Sequence, residues 1–217
     1  MIKIQSFTFN PFQENTFVLY DETNEALIID PGCYERHEKH ELIEFISSHN
    51  LVVKYLLNTH CHIDHVLGNA YIKEKYKVPF LIHKKEEPVL KAVKSYASNY
   101  GFAQYAEQIP DGFMEEGDVI TWGTSKLNVV FLPGHAPGHV GFYNANQNFI
   151  IGGDVLFRHS IGRTDLPGGD FDTLINSIHQ KLFVLPDKTL VYCGHGIETT
   201  IGEEKLNNPY CGLSSGH

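Results

Sequence analysis

No two cysteines in this chain fall in a CxxC spacing; Cys33, Cys61, Cys193 and Cys211 each stand alone. That excludes a thiolate zinc finger and argues against a disulfide framework, so reduced thiols are expected, each a small, half-buried apolar residue. Basic charge is also scarce, with 17 Lys and Arg against 26 Asp and Glu, a formal net charge of -9 and a pI near 5.8. A surface built to neutralise phosphates is thereby disfavoured, and no nucleic-acid partner is expected. A small neutral or anionic metabolite fits better, and two divalent cations would offset part of the acidity. The opening "MIKIQSFTFNPFQENTF" lacks the basic start, apolar run and small-residue cleavage site of a signal peptide. No apolar stretch approaches membrane-spanning length, so no membrane partner and a cytoplasmic location are expected. Low-complexity tracts, long linkers and repeats are missing too. What remains is 217 residues at 42% hydrophobic content, enough for one sizeable core and read as one domain over 1–217. The oligomeric state is not legible.

The first thirty residues read as strands: "IKIQSFTF" alternates, "NTFVLY" and "ALIID" flank the turn "DETNE", and "DPG" stops the run. Leu42, Ile43, Phe45 and Ile46 at helical spacing predict a helix over 36–48, followed by a buried strand "LVVKYLLN". "VLGNAYIKEKYK" reads as helix and "VPFLIH" as strand. At 84–110 a helical insertion is expected, with Val89, Val93, Tyr96, Ala97 and Tyr100 forming a stripe that serves core packing or faces a substrate. Strands follow at "DVITW", "KLNVVFL", "VGFYN" and "NFIIGG", then a helix over 171–183, the strand "TLVYCG" and a short helix ending before "NNP".

Polar clusters sit where these strands end. His60, His62, Asp64 and His65 follow "KYLLNT", His135 follows "NVVFLPG", Asp154 follows "FIIGG" and His195 follows "LVYCG". If the strands run in compatible directions, these ends converge on one rim. Glycine stands immediately before His135, Asp154 and His195, where it lets the backbone turn sharply into a crowded centre. Chance is a poor explanation for HxHxDH, expected in only a few per thousand chains of this composition, on the order of magnitude. Imidazole and carboxylate donors suit zinc, iron or manganese. Seven donors exceed one tetrahedral ion and suit two ions roughly 3.5–4 Å apart, sharing a bridging carboxylate and hydroxide.

With HxHxDH, the later "PGHAPGH", "GGD" and "CGH", the chain resembles the metallo-β-lactamase superfamily over most of its length. Within it, "GDVLFRHSIGRTDLPGGD" and "TLVYCGHG" are most similar to the glyoxalase II group, the hydroxyacylglutathione hydrolases. The resemblance implies an α+β fold, a four-layer αββα sandwich with its metal site at one edge of two sheets. It further implies that His60, His62, His135 and Asp154 hold one ion, while Asp64, His65, His195 and the shared Asp154 hold another. Zinc is the first expectation, with iron or manganese as alternatives. Asp30 in "IIDPG", Thr59 and His139 would orient these ligands through hydrogen bonds.

The implied reaction is hydrolysis of an acyl thioester such as S-lactoylglutathione by a hydroxide held between the metals. Asp64 would ligate, orient and secondarily transfer protons; the thiolate leaving group needs little acid help. Arg163 stands where the family places a basic residue near the glutathione carboxylate, and could grip an anionic thiol carrier or pair with Asp165. Asp165 and Ile197 occupy positions where tyrosines are expected, and the C-terminal helical domain of the longer glyoxalase II enzymes is missing, so the thiol carrier stays open. A persulfide dioxygenase of the same superfamily is the alternative, similar in "NTHCHxDH" and "GRTD" and needing only His60, His135 and Asp154 around one iron. A class B β-lactamase and a ribonuclease are less favoured, by the missing secretion signal and the acidic balance. A non-catalytic metal-binding module requires that no coordination position stays open.

Overall fold

Alternating side chains open the chain as a hairpin. In the computed structural model, which describes residues 1–213, β1 (Lys3–Phe9) and β2 (Glu14–Tyr20) pair antiparallel, with Phe9 opposite Glu14. The tip between them is tight because Asn10 and Gln13 take left-handed φ of 52° and 57°, a region Asn enters more readily than most residues. β3 (Glu25–Ile29) joins β2 antiparallel, and β4 (Val52–Leu57), β5 (Phe80–His83) and β6 (Gly112–Met114) then add in parallel. The resulting six-stranded sheet runs β1-β2-β3-β4-β5-β6.

Helices cover one face of this sheet. α1 (Arg36–Ser48) starts where the Glu38 carboxylate accepts the N–H groups of Tyr34 and Glu35 at 2.7 and 2.8 Å, satisfying donors that a helix start leaves unpaired. Leu42 and Ile46 of α1, Ile72 of α3 (Asn69–Tyr76) and Leu90 and Val93 of α4 (Glu87–Tyr96) share one apolar cluster with Val18, Ile28 and Leu56. The alternate strand residues Phe17, Leu19, Leu27, Ile29 and Leu57 are equally buried, so both faces are covered, the usual state of a sheet with parallel pairs. A single helical turn, α2 (Ile63–Val66), lies between β4 and α3.

The 84–110 segment is shorter in helix than its stripe predicts. Only Glu87–Tyr96 is α-helical; 3-10 turns precede and follow it, and Gly101 at φ 89° ends the run. Leu90, Val93 and Ala97 are buried whereas Tyr100 is exposed, so the stripe is mainly a packing face that gives out at its aromatic end.

A second six-stranded sheet runs β14-β13-β10-β9-β8-β7, built from β7 (Val119–Trp122), β8 (Ser125–Phe131), β9 (Val140–Asn144), β10 (Phe149–Gly153), β13 (Leu190–Cys193) and β14 (Thr199–Thr200). β11 (Leu156–Phe157) and β12 (Ser160–Ile161) form a small hairpin, and α5 (Phe171–Ser177), its π-helical continuation Ile178–Leu182 and α6 (Ile201–Asn207) complete the set. Asp170 caps α5 by accepting the Thr173 N–H at 2.8 Å. Leu174, Ile178 and Leu182 pack with Leu132, Ile150, Val191 and Ile201 in a separate apolar cluster.

The chain divides into two compact units, one of Met1–Met114 with Ile120–Lys126, the other of Glu115–Val119 with the chain from Leu127 onward. Each unit centres on one sheet. The four cysteines form no disulfide among the described residues and are buried, more deeply than expected. Among the described residues no helix is long and apolar enough to cross a membrane.

Candidate metal centre

In the first unit the donors hang from the ends of two hydrogen-bonded parallel strands. β3 ends at Ile29 opposite Leu57, the end of β4, so Asp30 and the segment Asn58–His60 leave the sheet at the same edge. Asp30 adopts φ 50° and turns its fully buried carboxylate onto four donors. Oδ1 accepts Thr59 N–H at 2.7 Å and the Asn58 amide at 3.2 Å; Oδ2 accepts the Thr59 hydroxyl at 2.6 Å and His65 Nδ1 at 3.2 Å. With its proton given to Asp30, Thr59 Oγ1 accepts from His60 Nδ1 at 3.1 Å.

These bonds fix tautomers. His60 and His65 both donate their Nδ1 proton toward Asp30, one through Thr59 and one directly, which makes each Nε2 the acceptor nitrogen of its ring. Ligand atoms of Asp30, His60 and His65 gather within 4.8 Å of one another. His62 precedes α2 and packs edge-on against His60, ring centroids 4.8 Å apart. Asp64 and His65 share the single turn of α2, where Asp64 Oδ2 lies 3.6 Å from His65 Nε2.

The second unit repeats the device on different strands. β10 and β13 are parallel, and β8 and β10 each run antiparallel to β9. All three therefore deliver the residues after them, His135, Asp154 and His195, to the same edge, the compatible strand direction that convergence requires. Asp154 Oδ2 stands 3.6 Å from His135 Nε2 and 3.4 Å from His195 Nε2. His135 donates Nδ1–H to the Arg163 carbonyl at 2.8 Å, so its Nε2 too is an acceptor. His139 is fully buried rather than solvent-facing, and its Nε2 accepts the Asp154 N–H at 3.0 Å. Gly162 has no room for a side chain, since a Cβ there would lie 1.9 Å from the Asp154 carbonyl oxygen and 3.1 Å from His135 Nδ1.

At His65 and His135, whose Nδ1 bonds make Nε2 the acceptor, that nitrogen faces a carboxylate oxygen at 3.6 Å and sets one lone pair against another, which a proton or a cation must relieve. These two contacts, with His195 Nε2 3.4 Å from the same Asp154 oxygen, match the donor chemistry of zinc, iron or manganese. The residues fit a metal.

Arg163 takes the second of its two expected uses. Its guanidinium forks onto Asp165 with two bonds of 2.7 Å, and the Arg163 hydrogen bonds hold the Asp165 carboxyl down to about 2. Sequence reasoning missed several partners. Glu86, fully buried, accepts Cys61 N–H at 2.8 Å and so holds the backbone between His60 and His62. Asn10 donates to the carbonyls of Gly32 and Asp64 at 3.1 and 3.0 Å, and Asn58 donates to the His65 carbonyl at 2.8 Å. Glu14, with no exposed surface, is pushed well above the usual carboxylate range by burial; His65 opposes this, and the nearby Asp30 and Asp64 charges add to it. An acid directly before the apolar run "NTFVLY" was the one signal for Glu14.

Comparison with known proteins agrees with this geometry. The family model described as the metallo-beta-lactamase superfamily matches residues 9–195. Hydroxyacylglutathione hydrolase GloC of Haemophilus influenzae is 36% identical over 99% of this chain and 100% of its own length. The mitochondrial persulfide dioxygenase ETHE1 of Mus musculus is 33% identical over 92% of this chain and 72% of its own. Among solved structures, the BLEG-1 B3 metallo-beta-lactamase superposes with a TM-score of 0.87 at 35% identity, covering 96% of this chain and 99% of that one. Its α+β architecture, its clustered histidines and aspartates and these likenesses together make this chain a member of the metallo-beta-lactamase superfamily, with the fold of that superfamily.

Proposed function

We propose that the chain is a metal-dependent hydrolase of acyl thioesters, S-lactoylglutathione or a close relative, with His60, His62, Asp64, His65, His135, Asp154 and His195 holding two divalent ions, zinc first. The observation that carries the reading is that Asp154 Oδ2 lies within 3.6 Å of both His135 Nε2 and His195 Nε2, which supports a carboxylate that more than one ion could use. Ions bound there would lower the pKa of water and polarise the acyl carbonyl. The chain's own part is to hold the imidazoles in one tautomer through Asp30, Thr59 and the Arg163 carbonyl, and to place Asp64 Oδ2 where it orients water and takes up a proton. The full-length likeness to GloC supports the thioester. Arg163 would meet an anionic thiol carrier with the guanidinium protons that its fork onto Asp165 leaves over, or by exchanging Asp165 for it.

A persulfide dioxygenase using one iron is the second reading, favoured by the likeness to ETHE1. Elemental analysis of protein purified without added metal, paired with thiol release from S-lactoylglutathione, tests the first. Two ions per chain, turnover lost to chelators and reduced at least about 100-fold by His62→Ala, and full activity without oxygen are expected. Oxygen uptake on glutathione persulfide with one iron per chain would establish the alternative, and cleavage of nitrocefin without thioester turnover would overturn both.

A further inference from the structure

β2 carries an acid into the interior. Glu14, Thr16 and Val18 alternate onto the face of the first sheet that the helices cover, and all three are buried. Glu14 Oε2 meets the Thr16 hydroxyl at 3.0 Å, while Oε1 has no hydrogen-bond partner among the described residues. A buried carboxyl oxygen is costly to leave without a donor, which turns attention to the N–H groups around it. His65 Nδ1 lies 3.9 Å from Oε1. Its proton now lies on Asp30 Oδ2 at 3.2 Å, an oxygen that also holds the Thr59 hydroxyl at 2.6 Å.

From this juxtaposition we infer that Glu14 is a positioning residue for His65, a second acceptor for the Nδ1 proton, which it shares with Asp30. A small rotation of the ring moves that proton between the two carboxyl groups without moving it to Nε2. The His65 lone pair therefore stays outward while the ring adjusts to whatever Nε2 meets. Packing holds Glu14 in place: a Cβ at Gly32 would lie 2.0 Å from Glu14 Oε2 and 2.6 Å from the Asn10 amide, so this turn closes directly on the carboxyl.

The proton count at Thr16 selects the test. Its hydroxyl accepts Gly32 N–H at 2.9 Å and has one proton for two acceptors, Glu14 Oε2 and the Asp30 carbonyl at 2.9 Å. In Glu14→Gln the amide can donate to Thr16, Thr16 can donate to Asp30, and the amide oxygen still faces His65. Glu14→Leu keeps the volume and removes the acceptor.

The inference rests on the metal-centre reading for its purpose but not for its first readout. In 15N-histidine-labelled, metal-free protein, the wild type and Glu14→Gln are expected to show His65 as one Nδ1–H tautomer, and Glu14→Leu a mixture or an exchange-broadened ring. In zinc titrations against a chromophoric chelator, Glu14→Leu should bind its weaker ion about 10-fold or more less tightly, the size typical of a ligand's hydrogen-bond partner. Its thermal stability without metal should not fall in parallel. Tautomer and affinity unchanged in Glu14→Leu, or Glu14→Gln as impaired as Glu14→Leu, would overturn it. Should no variant bind zinc while the tautomer still depends on residue 14, the metal reading fails and the Glu14–His65 coupling stands.

Discussion

Asp30 illustrates how much one side chain can decide. Its backbone sits at φ 50°, which Asp and Asn tolerate and most residues do not, so Asp30→Asn changes chemistry without straining the turn. Oδ1 can still accept from Thr59 N–H and Asn58. An NH2 group at the other position would face the Thr59 hydroxyl and His65 Nδ1, which now both donate to it. Donor would meet donor: the Thr59 hydroxyl, which receives from His60, would lose its acceptor, and His65 would be left with Glu14 Oε1, 3.9 Å away, as its remaining carboxyl acceptor. Metal affinity is expected to fall about 10- to 100-fold with the circular dichroism spectrum unchanged, as measured by chelator competition. Wild-type affinity in Asp30→Asn would show that the carboxylate does not set the tautomers.

Among the elements, the turn after β2 gives a pH-dependent test. Asp21 is buried and accepts from the N–H and hydroxyl of Thr23, the N–H and hydroxyl of Thr124 and the hydroxyl of Ser125, at 2.5–3.2 Å. Burial pushes its carboxyl up, but the bonds from Thr23, Ser125 and Thr124 outweigh that and hold it well below the usual range. A group depressed in the folded state contributes stability above its unfolded value, near 4, and loses it as pH falls below that. Asp21→Asn should lower Tm by about 3–6 °C at pH 7, and the gap should narrow steadily as pH falls below about 4. A gap that stays constant with pH would refute the argument.

The same scale shows what could be read in advance. Helix 36–48 and the long strands were legible because their periodicity is strong and their ends carry turn residues. β6, β11, β12 and β14, at two or three residues each, are too short to show a period of two and exist through pairing alone. The clustering of histidines and aspartates was legible because HxHxDH and the glycine-led His135, Asp154 and His195 all follow strand-like runs, and within each unit the strand ends do bring their own members close. Glu14 and Glu86 were not, because each acts on a residue 51 and 25 positions away, and nothing local marks a buried acid's partner.

For the whole molecule, burial offers a reporter of folding. Burial pushes the thiols of Cys33, Cys193 and Cys211 up to about 12 and that of Cys61 well above its usual range, with nearby carboxylates adding to each. Thiolate is the reactive form, so native protein at pH 8 should leave an aromatic disulfide reagent such as DTNB essentially colourless. All four cysteines should react once guanidinium unfolds the chain, and the midpoint should match that seen by fluorescence. Rapid native labelling of any one would contradict the buried placement. The link between β3 and β4 has a mechanical consequence. Because one carboxylate at the end of β3 carries both rings that leave the end of β4, shear between those strands swings the two nitrogens in concert. Heat or pressure would then tilt both rings in the same sense, on top of any rotation that His65 makes between its two acceptors.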